Sequence, residues 1–454
     1  MRGLPMNKTS VLSRTFALLL TLAMIGALIL PVLAEDEEEL PAQPPVANCD
    51  AAILYNFENN RYLYEYNAAE RVYPASTVKI MTAIVVMEAF EGKLDSKITV
   101  TQAMLDEVAG NRIGFWLGEV VTVEQMLNCM LVNSANDAAI ILAHGTAGST
   151  QAFVNLMNEK AAWLGAYNTY YMNPTGMHND AMITTAKDTA IIAQYAYSLP
   201  GFIEMTSTPK YVMEGTNFSD YRTIYNRNCL ISNYYRVDYK YSPAVGMNAG
   251  STTQGGYCIA AAAEDIERGL TYLAVVLGGD SDDDELYNYV NAINMFDWAF
   301  EAYDYTEVLS ENKVISEIPV ALSSTIDYVT LVPAESIRVY LPTSVDVAKD
   351  IRYSYNTYDE SLNAPIEAGM ECGQITVLYG DEILGSCSLI TTSSITRSEF
   401  LYFLSRVQEF THSRFFRGTV IAVVVLSVLY VLIQAGQREK KLRRAGGRYN
   451  GRYR

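Results

Sequence analysis

Apolar and polar positions divide the chain into blocks. From Ala51 to Asn67, AAILYNFENNRYLYEYN alternates about an Asn-Asn pair, which predicts a β-hairpin. TVKIMTAIVVMEAF (Thr77–Phe90), TVEQMLNCMLV (Thr122–Val132) and NDAAIILAHGTA (Asn136–Ala147) then carry apolar residues at helical spacing. Further on, GGYCIAAAAED and LTYLAVVLGGD read as two buried strands, and ELYNYVNAINMFDWAFEAY as a closing amphipathic helix. Strands at both ends with helices between predict one sheet covered by helices, spanning residues 49–303.

Short β-rich runs follow: SIRVYLP, IRYSYNT, QITVLYG and EILGSCSLI. They predict a small all-β domain over residues 307–392, joined by a polar-aromatic connector at 393–417 to an apolar run at 418–435. That run, GTVIAVVVLSVLYVLIQA, is long enough to span a bilayer as a helix. The tail at 436–454 is dense in Lys and Arg, which places it in the cytoplasm and the main body outside. Residues 1–34 read as a secretory signal peptide, with Arg2, Lys8 and Arg14 before an apolar stretch that ends in small residues at Ala34. An uncleaved anchor is the rival reading, and the chain is exported under either. An acidic, then Pro-rich linker occupies 35–48.

Composition narrows the picture further. A net charge of -18 without a basic stripe in the main body excludes a nucleic-acid partner. Six cysteines lie in the exported part, where disulfides are permitted. Cys372 and Cys387 share one β-rich region and are the first pair to consider; buried free thiols are the alternative for the others. No zinc spacing is visible. His144, His178 and His412 form no Ser-His-Asp arrangement, so neither a metal nor another cofactor is expected.

Candidate chemistry begins in YPASTVKIMTAIVVME, Tyr73 to Glu88. Ser76 sits where a helix begins, and Lys79 follows three residues later on the same face. An amine of lowered pKa there can take the proton of the serine hydroxyl, and the helix N-terminus offers N–H donors to a developing oxyanion. The plain alternative is an N-cap serine beside a solvent lysine. In LVNSANDAAIILA, Ser134 and Asn136 fall in a break between two helices and can point into one cleft; helix capping explains them equally well. The third element, VGMNAGSTTQGGYCIAAAA, offers a strand edge ending in glycine that could complete the cleft wall.

The order Ser-x-x-Lys, Ser-x-Asn and a strand-edge Gly motif resembles that of serine acyl-transfer enzymes that react with penicillin. With PASTVKIMTA, LGEVVTVEQMLNCMLVNSANDAA, NPTGMHND, TTAKDTA, NRNCL and GYCIAAAA, the chain resembles the low-molecular-mass penicillin-binding proteins of D-alanyl-D-alanine carboxypeptidase type. The resemblance implies an α/β (α+β) serine β-lactamase/transpeptidase-like domain with an antiparallel sheet covered by helices, then a small β domain and membrane attachment. It implies pentapeptide stems of peptidoglycan as substrate, β-lactams as inhibitors, Ser76 as nucleophile and Lys79 as its base. Ser134 would relay a proton, Asn136 would hold the substrate amide, and the N–H groups of Ser76 and Ser251 would form the oxyanion hole.

The third motif departs from the family. Asn248-Ala249-Gly250 stands where the family usually has Lys-Thr-Gly, whose lysine and threonine serve the substrate's terminal carboxylate. Losing one hydrogen bond to a charged group costs roughly 1.5–3 kcal/mol, on the order of ten- to a hundredfold in rate. Gly250 is kept, so the strand can still approach substrate closely. Arg227, in NRNCL, supplies a replacement charge if that segment lines the cleft; otherwise it is a structural hydrogen-bonding residue. Three readings follow: a carboxypeptidase of full, reduced or altered activity; a degenerate homologue that binds wall peptides or a partner without turnover; and an acyl hydrolase for a substrate lacking a carboxylate.

Overall fold

The computed structural model describes residues 43–282 and 285–446, with side chains to residue 441. The signal segment, the first part of the linker and the end of the basic tail lie outside the described residues.

Five strands form the sheet that carries the first unit: Ala51–Asn56 (β1), Arg61–Tyr66 (β2), Ala244–Thr252 (β3), Gly256–Asp265 (β4) and Leu270–Gly279 (β5). They run antiparallel in the order β2-β1-β5-β4-β3. The predicted hairpin is β1–β2, and Asn60 in its turn takes the left-handed conformation that asparagine tolerates. β1 pairs across the sequence with β5, Ala51 opposite Leu277 and Asn56 opposite Tyr272. The ends of the domain therefore close on each other.

Both faces of the sheet are covered, as the continuous apolar runs require. The helices are Val78–Ala89 (α1), Val123–Asn133 (α2), Asn136–Ala147 (α3), Thr150–Leu164 (α4), Ala186–Ser198 (α5) and Tyr287–Ala302 (α6). Alternation along β4 sends Cys258, Ala260 and Ala262 into the core that holds α1 to α5. Ile259, Ala261 and Ala263 enter the core under α6 with Tyr289, Met295 and Phe296. Alanines along this strand let backbone and helices approach closely on either side. Helix α1 is buried nearly all round, which explains why its apolar residues cover more than one face. Helix α2 starts at a capping box in which Thr122 and Gln125 satisfy each other's backbone N–H.

Among the described residues the second unit comprises 306–339 and 345–446; Tyr340–Ser344 belongs to the first. Its six-stranded sheet has the order Ile351–Thr357, Glu371–Tyr379, Glu382–Thr391, Tyr328–Pro333, Ser316–Ala321, Leu362–Asn363. Ile318, Val320, Val329, Leu331, Ile375, Val377 and Leu389 are buried in it.

The expected Cys372–Cys387 pairing is not made: both thiols are free, as are the other four. Register explains this. Cys387 lies opposite Ile375, three positions along the strand from Cys372. At about 3.3 Å per residue the two Cα atoms stand roughly 10 Å apart, beyond the ~7 Å a disulfide can bridge.

The connector contains a helix, Glu399–His412, started by Ser398, whose hydroxyl accepts from the Leu401 N–H. A second helix, Arg414–Gly446, includes the predicted 418–435 run. Its stretch Arg414–Lys441 is long and apolar enough to cross a membrane.

Candidate active site

Ser76 stands in a single 3-10 turn, Ala75–Thr77, that leads into α1. Its hydroxyl caps nothing, so the N-cap alternative does not describe it. Ala75, just before it, is held at φ 46, a left-handed conformation that costs energy for a residue with a Cβ. The Ser-x-x-Lys spacing does what helical geometry requires: Lys79 Nζ lies 3.3 Å from Ser76 Oγ. Lys79 is fully buried and donates a 2.5 Å hydrogen bond to the Thr175 carbonyl. Burial pushes its amine down to about 7, helped by the nearby Arg227 charge. An amine of this kind is half neutral near neutrality and can accept a proton.

The Thr175 carbonyl is set by a turn around Asn173, whose Oδ1 accepts from the Thr175 hydroxyl and from the Thr175 and Gly176 N–H groups at 2.9–3.1 Å. Gly176 has φ 80, and a Cβ there would lie 2.0 Å from the Ala75 carbonyl oxygen. Only glycine lets this loop abut the turn that carries Ser76.

Ser134 ends α2 in a left-handed conformation, φ 55, and Asn136 opens α3. Neither side chain caps a helix. Ser134 Oγ is buried and has no hydrogen-bond partner among the described residues, so it is uncommitted. Asn136 Nδ2 donates to the Ala109 carbonyl at 2.7 Å. The facing loop at residues 109–114 is tied down by Asp137, which accepts from the Ile113 and Gly114 N–H groups at 3.2 and 2.8 Å. That loop carries Asn111, which donates to the Asn133 carbonyl at 2.7 Å.

Strand β3 closes the far wall. A Cβ on Gly250 would lie 2.5 Å from Ser76 Oγ, so the strand runs directly against the hydroxyl. Ser76, Ser134, Asn136, Arg227, Gly250 and Ser251 all line one cleft of about 240 Å³, together with Asn111, Thr175, Gly176, Met177, Ala249 and Thr252. Asn248 and Lys79 are both buried, and Asn248 Oδ1 is unpartnered among the described residues. The NRNCL segment does line the cleft: Arg227 Nη1 donates to Asn111 Oδ1 at 2.8 Å. The histidines take local partners instead: His144 with Glu107, His178 with Asp180, His412 with the Gln408 carbonyl.

Gly110, Asn111, Thr175 and Gly176 are cleft residues that motif reasoning did not single out. NPTGM carried a visible signal, an Asn-Pro-Thr-Gly turn. Asn111 carried none, because its role depends on partners 22 and 116 residues away.

A family model described as D-alanyl-D-alanine carboxypeptidase matches residues 38–281, and one described as the penicillin-binding protein 5 C-terminal domain matches 303–397. D-alanyl-D-alanine carboxypeptidase DacF of Bacillus subtilis is 29% identical over 359 residues, covering 78% of this chain and 88% of that protein. The D-alanyl-D-alanine carboxypeptidase of Streptomyces sp. strain K15 is 32% identical over 246 residues, covering 50% and 81%. The crystal structure of the Streptomyces K15 DD-transpeptidase superposes with a TM-score of 0.51 at 29% identity, over 57% of this chain and 99% of that one. Penicillin-binding protein 5 of Haemophilus influenzae shares the fold, with a TM-score of 0.55 at 24% identity over 78% and 100%. With a serine, a buried lysine and a glycine strand edge meeting in one cleft, and more than half the chain matched by the first model, this protein belongs to the D-alanyl-D-alanine carboxypeptidase family of penicillin-binding proteins.

Proposed function

We propose that this chain is a serine-type carboxypeptidase that releases the terminal D-alanine of peptidoglycan pentapeptide stems through an acyl-enzyme on Ser76. The observation that carries the reading is the 3.3 Å approach of Lys79 Nζ to Ser76 Oγ, with the amine buried and its basicity lowered. Neutral Lys79 takes the Oγ proton, and Oγ attacks the carbonyl carbon of the penultimate D-alanine. The oxyanion is held by the N–H groups of Ser76 and Ser251. The C–N bond then breaks, and the leaving amine receives a proton through Ser134. Water attacks the resulting ester, frees the shortened stem and returns the proton to Ser76. Asn136 holds the substrate backbone amide, and the terminal carboxylate lies toward Arg227. Asn248 stands on β3 without adding charge, and Gly250 keeps the approach open. A β-lactam enters the same sequence, its ring carbonyl acylating Ser76.

The test is release of D-alanine from a pentapeptide ending in D-Ala-D-Ala, with mass mapping of a fluorescent penicillin adduct on the digested protein. Release together with an adduct on the Ser76 peptide supports the reading. Folded protein that neither releases D-alanine nor becomes labelled refutes it.

Gly250 offers a sharper expectation. In Gly250→Ala the new methyl would meet Ser76 Oγ at 2.5 Å and Ser76 Cβ at 2.6 Å, so strand or nucleophile must move. A misplacement near 1 Å can cost about a hundredfold. Penicillin acylation should slow by that order while the unfolding midpoint changes little. Acylation at the wild-type rate would show that β3 does not wall the reacting atoms.

We propose further that the protein is exported and held in the cell membrane by the helix that includes residues 418–435, with the basic tail in the cytoplasm. A chain ending at His412 should leave the membrane fraction, and its retention there would assign the anchoring elsewhere.

A further inference from the structure

Arg227 is exposed, yet its guanidinium is fixed in place. Four contacts close a ring. Arg227 Nη1 donates to Asn111 Oδ1 at 2.8 Å, and Asn111 Nδ2 donates to the Asn133 carbonyl at 2.7 Å. Asn133 Nδ2 donates to the Tyr235 hydroxyl at 3.1 Å, and the Tyr235 ring lies 5.0 Å from Arg227 Cζ. The ring plane is set from the other side as well. Tyr234 packs edge-on against Tyr235 with centroids 5.1 Å apart, and Tyr234 stacks flat on Tyr225 at 3.7 Å. The Tyr225 carbonyl accepts from the same Asn133 side chain at 3.2 Å. No core burial explains this arrangement, since Tyr234 and Tyr235 are 57% and 44% exposed.

We infer that Tyr235 is a positioning residue, holding the Arg227 guanidinium at the mouth of the cleft to receive the terminal carboxylate of the substrate. The inference rests on the reading of Arg227 given under the proposed function. Its physical basis is preorganisation. An exposed arginine samples many rotamers and loses that freedom on binding an anion; one already laid on an aromatic face and tethered through Asn111 loses less. The aromatic face also leaves the remaining N–H donors of the guanidinium to the ligand, because a cation–π contact consumes none of them. Asn133 immediately precedes Ser134, so the ring ties the charge to the cleft itself. In a chain with Asn248 and Ala249 on the strand, the carboxylate is met by a cation from the NRNCL segment, tied through Asn111 to the loop at residues 109–114. Lys79 feels the same cation, which adds to the burial that lowers its basicity.

The experiment compares the full chain in detergent with its variants on two substrates: a peptide ending in D-Ala-D-Ala and the same peptide as its C-terminal amide. The readout is the ratio of their kcat/KM values, which isolates recognition of the carboxylate. Tyr235→Ala should lower the ratio by about three- to thirtyfold, mainly by raising KM for the acid, in line with loss of one cation–π contact. Tyr235→Phe keeps the ring and should stay within about twofold of wild type. Arg227→Ala should lower the ratio at least as far as Tyr235→Ala. Tyr235→Leu retains bulk without a π face and serves in place of the alanine variant if that one does not fold. Equal losses on acid and amide in Tyr235→Ala would make Tyr235 merely structural and overturn the inference. A wild-type ratio in Tyr235→Ala beside a lowered one in Arg227→Ala would overturn it while sparing the role of Arg227. A wild-type ratio in Arg227→Ala would overturn both.

Discussion

Replacing Ser76 by alanine is expected to remove D-alanine release and penicillin labelling altogether, a loss on the order of 10⁶-fold in kcat, while the fold survives. The size follows from chemistry. Without Oγ no acyl-enzyme forms, and hydrolysis is left to direct attack by water with no covalent intermediate to divide the step. Stability should hold because little depends on the hydroxyl. Its recorded contact is the 3.3 Å approach of Lys79, which keeps its 2.5 Å bond to the Thr175 carbonyl in the variant. A substitution that breaks no cap and opens no core cavity usually changes stability within about 0.5 kcal/mol. Turnover by purified Ser76→Ala at a comparable rate would end the acyl-serine mechanism. Loss of turnover together with unfolding would say nothing about chemistry, so the far-UV spectrum and unfolding midpoint belong to the same measurement.

Local period and punctuation made much of this legible in the sequence. The Asn-Asn hairpin, α1, the paired strands β4 and β5 and the closing helix α6 follow from 2.0- and 3.6-residue spacing, and the structure holds each of them. Ser76 and Lys79 could be paired because three helical residues fix their distance whatever surrounds them. Helices α4 and α5 lay less open, although Ser149 and Thr185 mark their N-termini by accepting from the N–H groups of Ala152 and Asp188. Half of α4 faces solvent, and its apolar stripe is thin. Hidden altogether were features made by long-range meeting: the Thr175 carbonyl on Lys79, 96 residues away, and Arg227 on Asn111, 116 away. The cysteine expectation failed for a related reason. Residues in one sheet need not be neighbours, and the register that sets Cys387 opposite Ile375 is decided by pairing along the whole hairpin. The departure at Asn248-Ala249-Gly250 was visible in letters. Its consequence was not, because which other residues line the cleft, Arg227 among them, is decided by the fold.

Lys79 should reveal itself through pH. Its amine is pushed from 10.5 down to about 7, first by burial and then by the Arg227 charge. At pH 7 about half of it is neutral, against roughly one part in 3,000 for an unperturbed lysine, so burial raises the population of competent base by about a thousandfold. Acylation by penicillin should therefore fall about tenfold per pH unit below 7 and level off above it. Lys79→Arg places a guanidinium that stays protonated in the same pocket, and should lose on the order of 10²- to 10⁴-fold with no recovery at high pH. Arg227→Ala removes one of the two causes and should move the inflection upward. The same shift marks stability, and its sign is fixed. The unfolded lysine binds its proton up to about 10.5, whereas the folded one releases it above about 7. Between those values the unfolded state holds more protons, so stability rises with pH across that window; below 7 both states are protonated and the cost of burying the charge is carried in full. Lys79→Met lacks this linkage. The difference in unfolding free energy between wild type and Lys79→Met should therefore change between pH 7 and 10 and stay flat from 5 to 6.5. A flat difference throughout, with acylation independent of pH near 7, would mean that Lys79 stays charged in the fold and that another group takes the proton from Ser76.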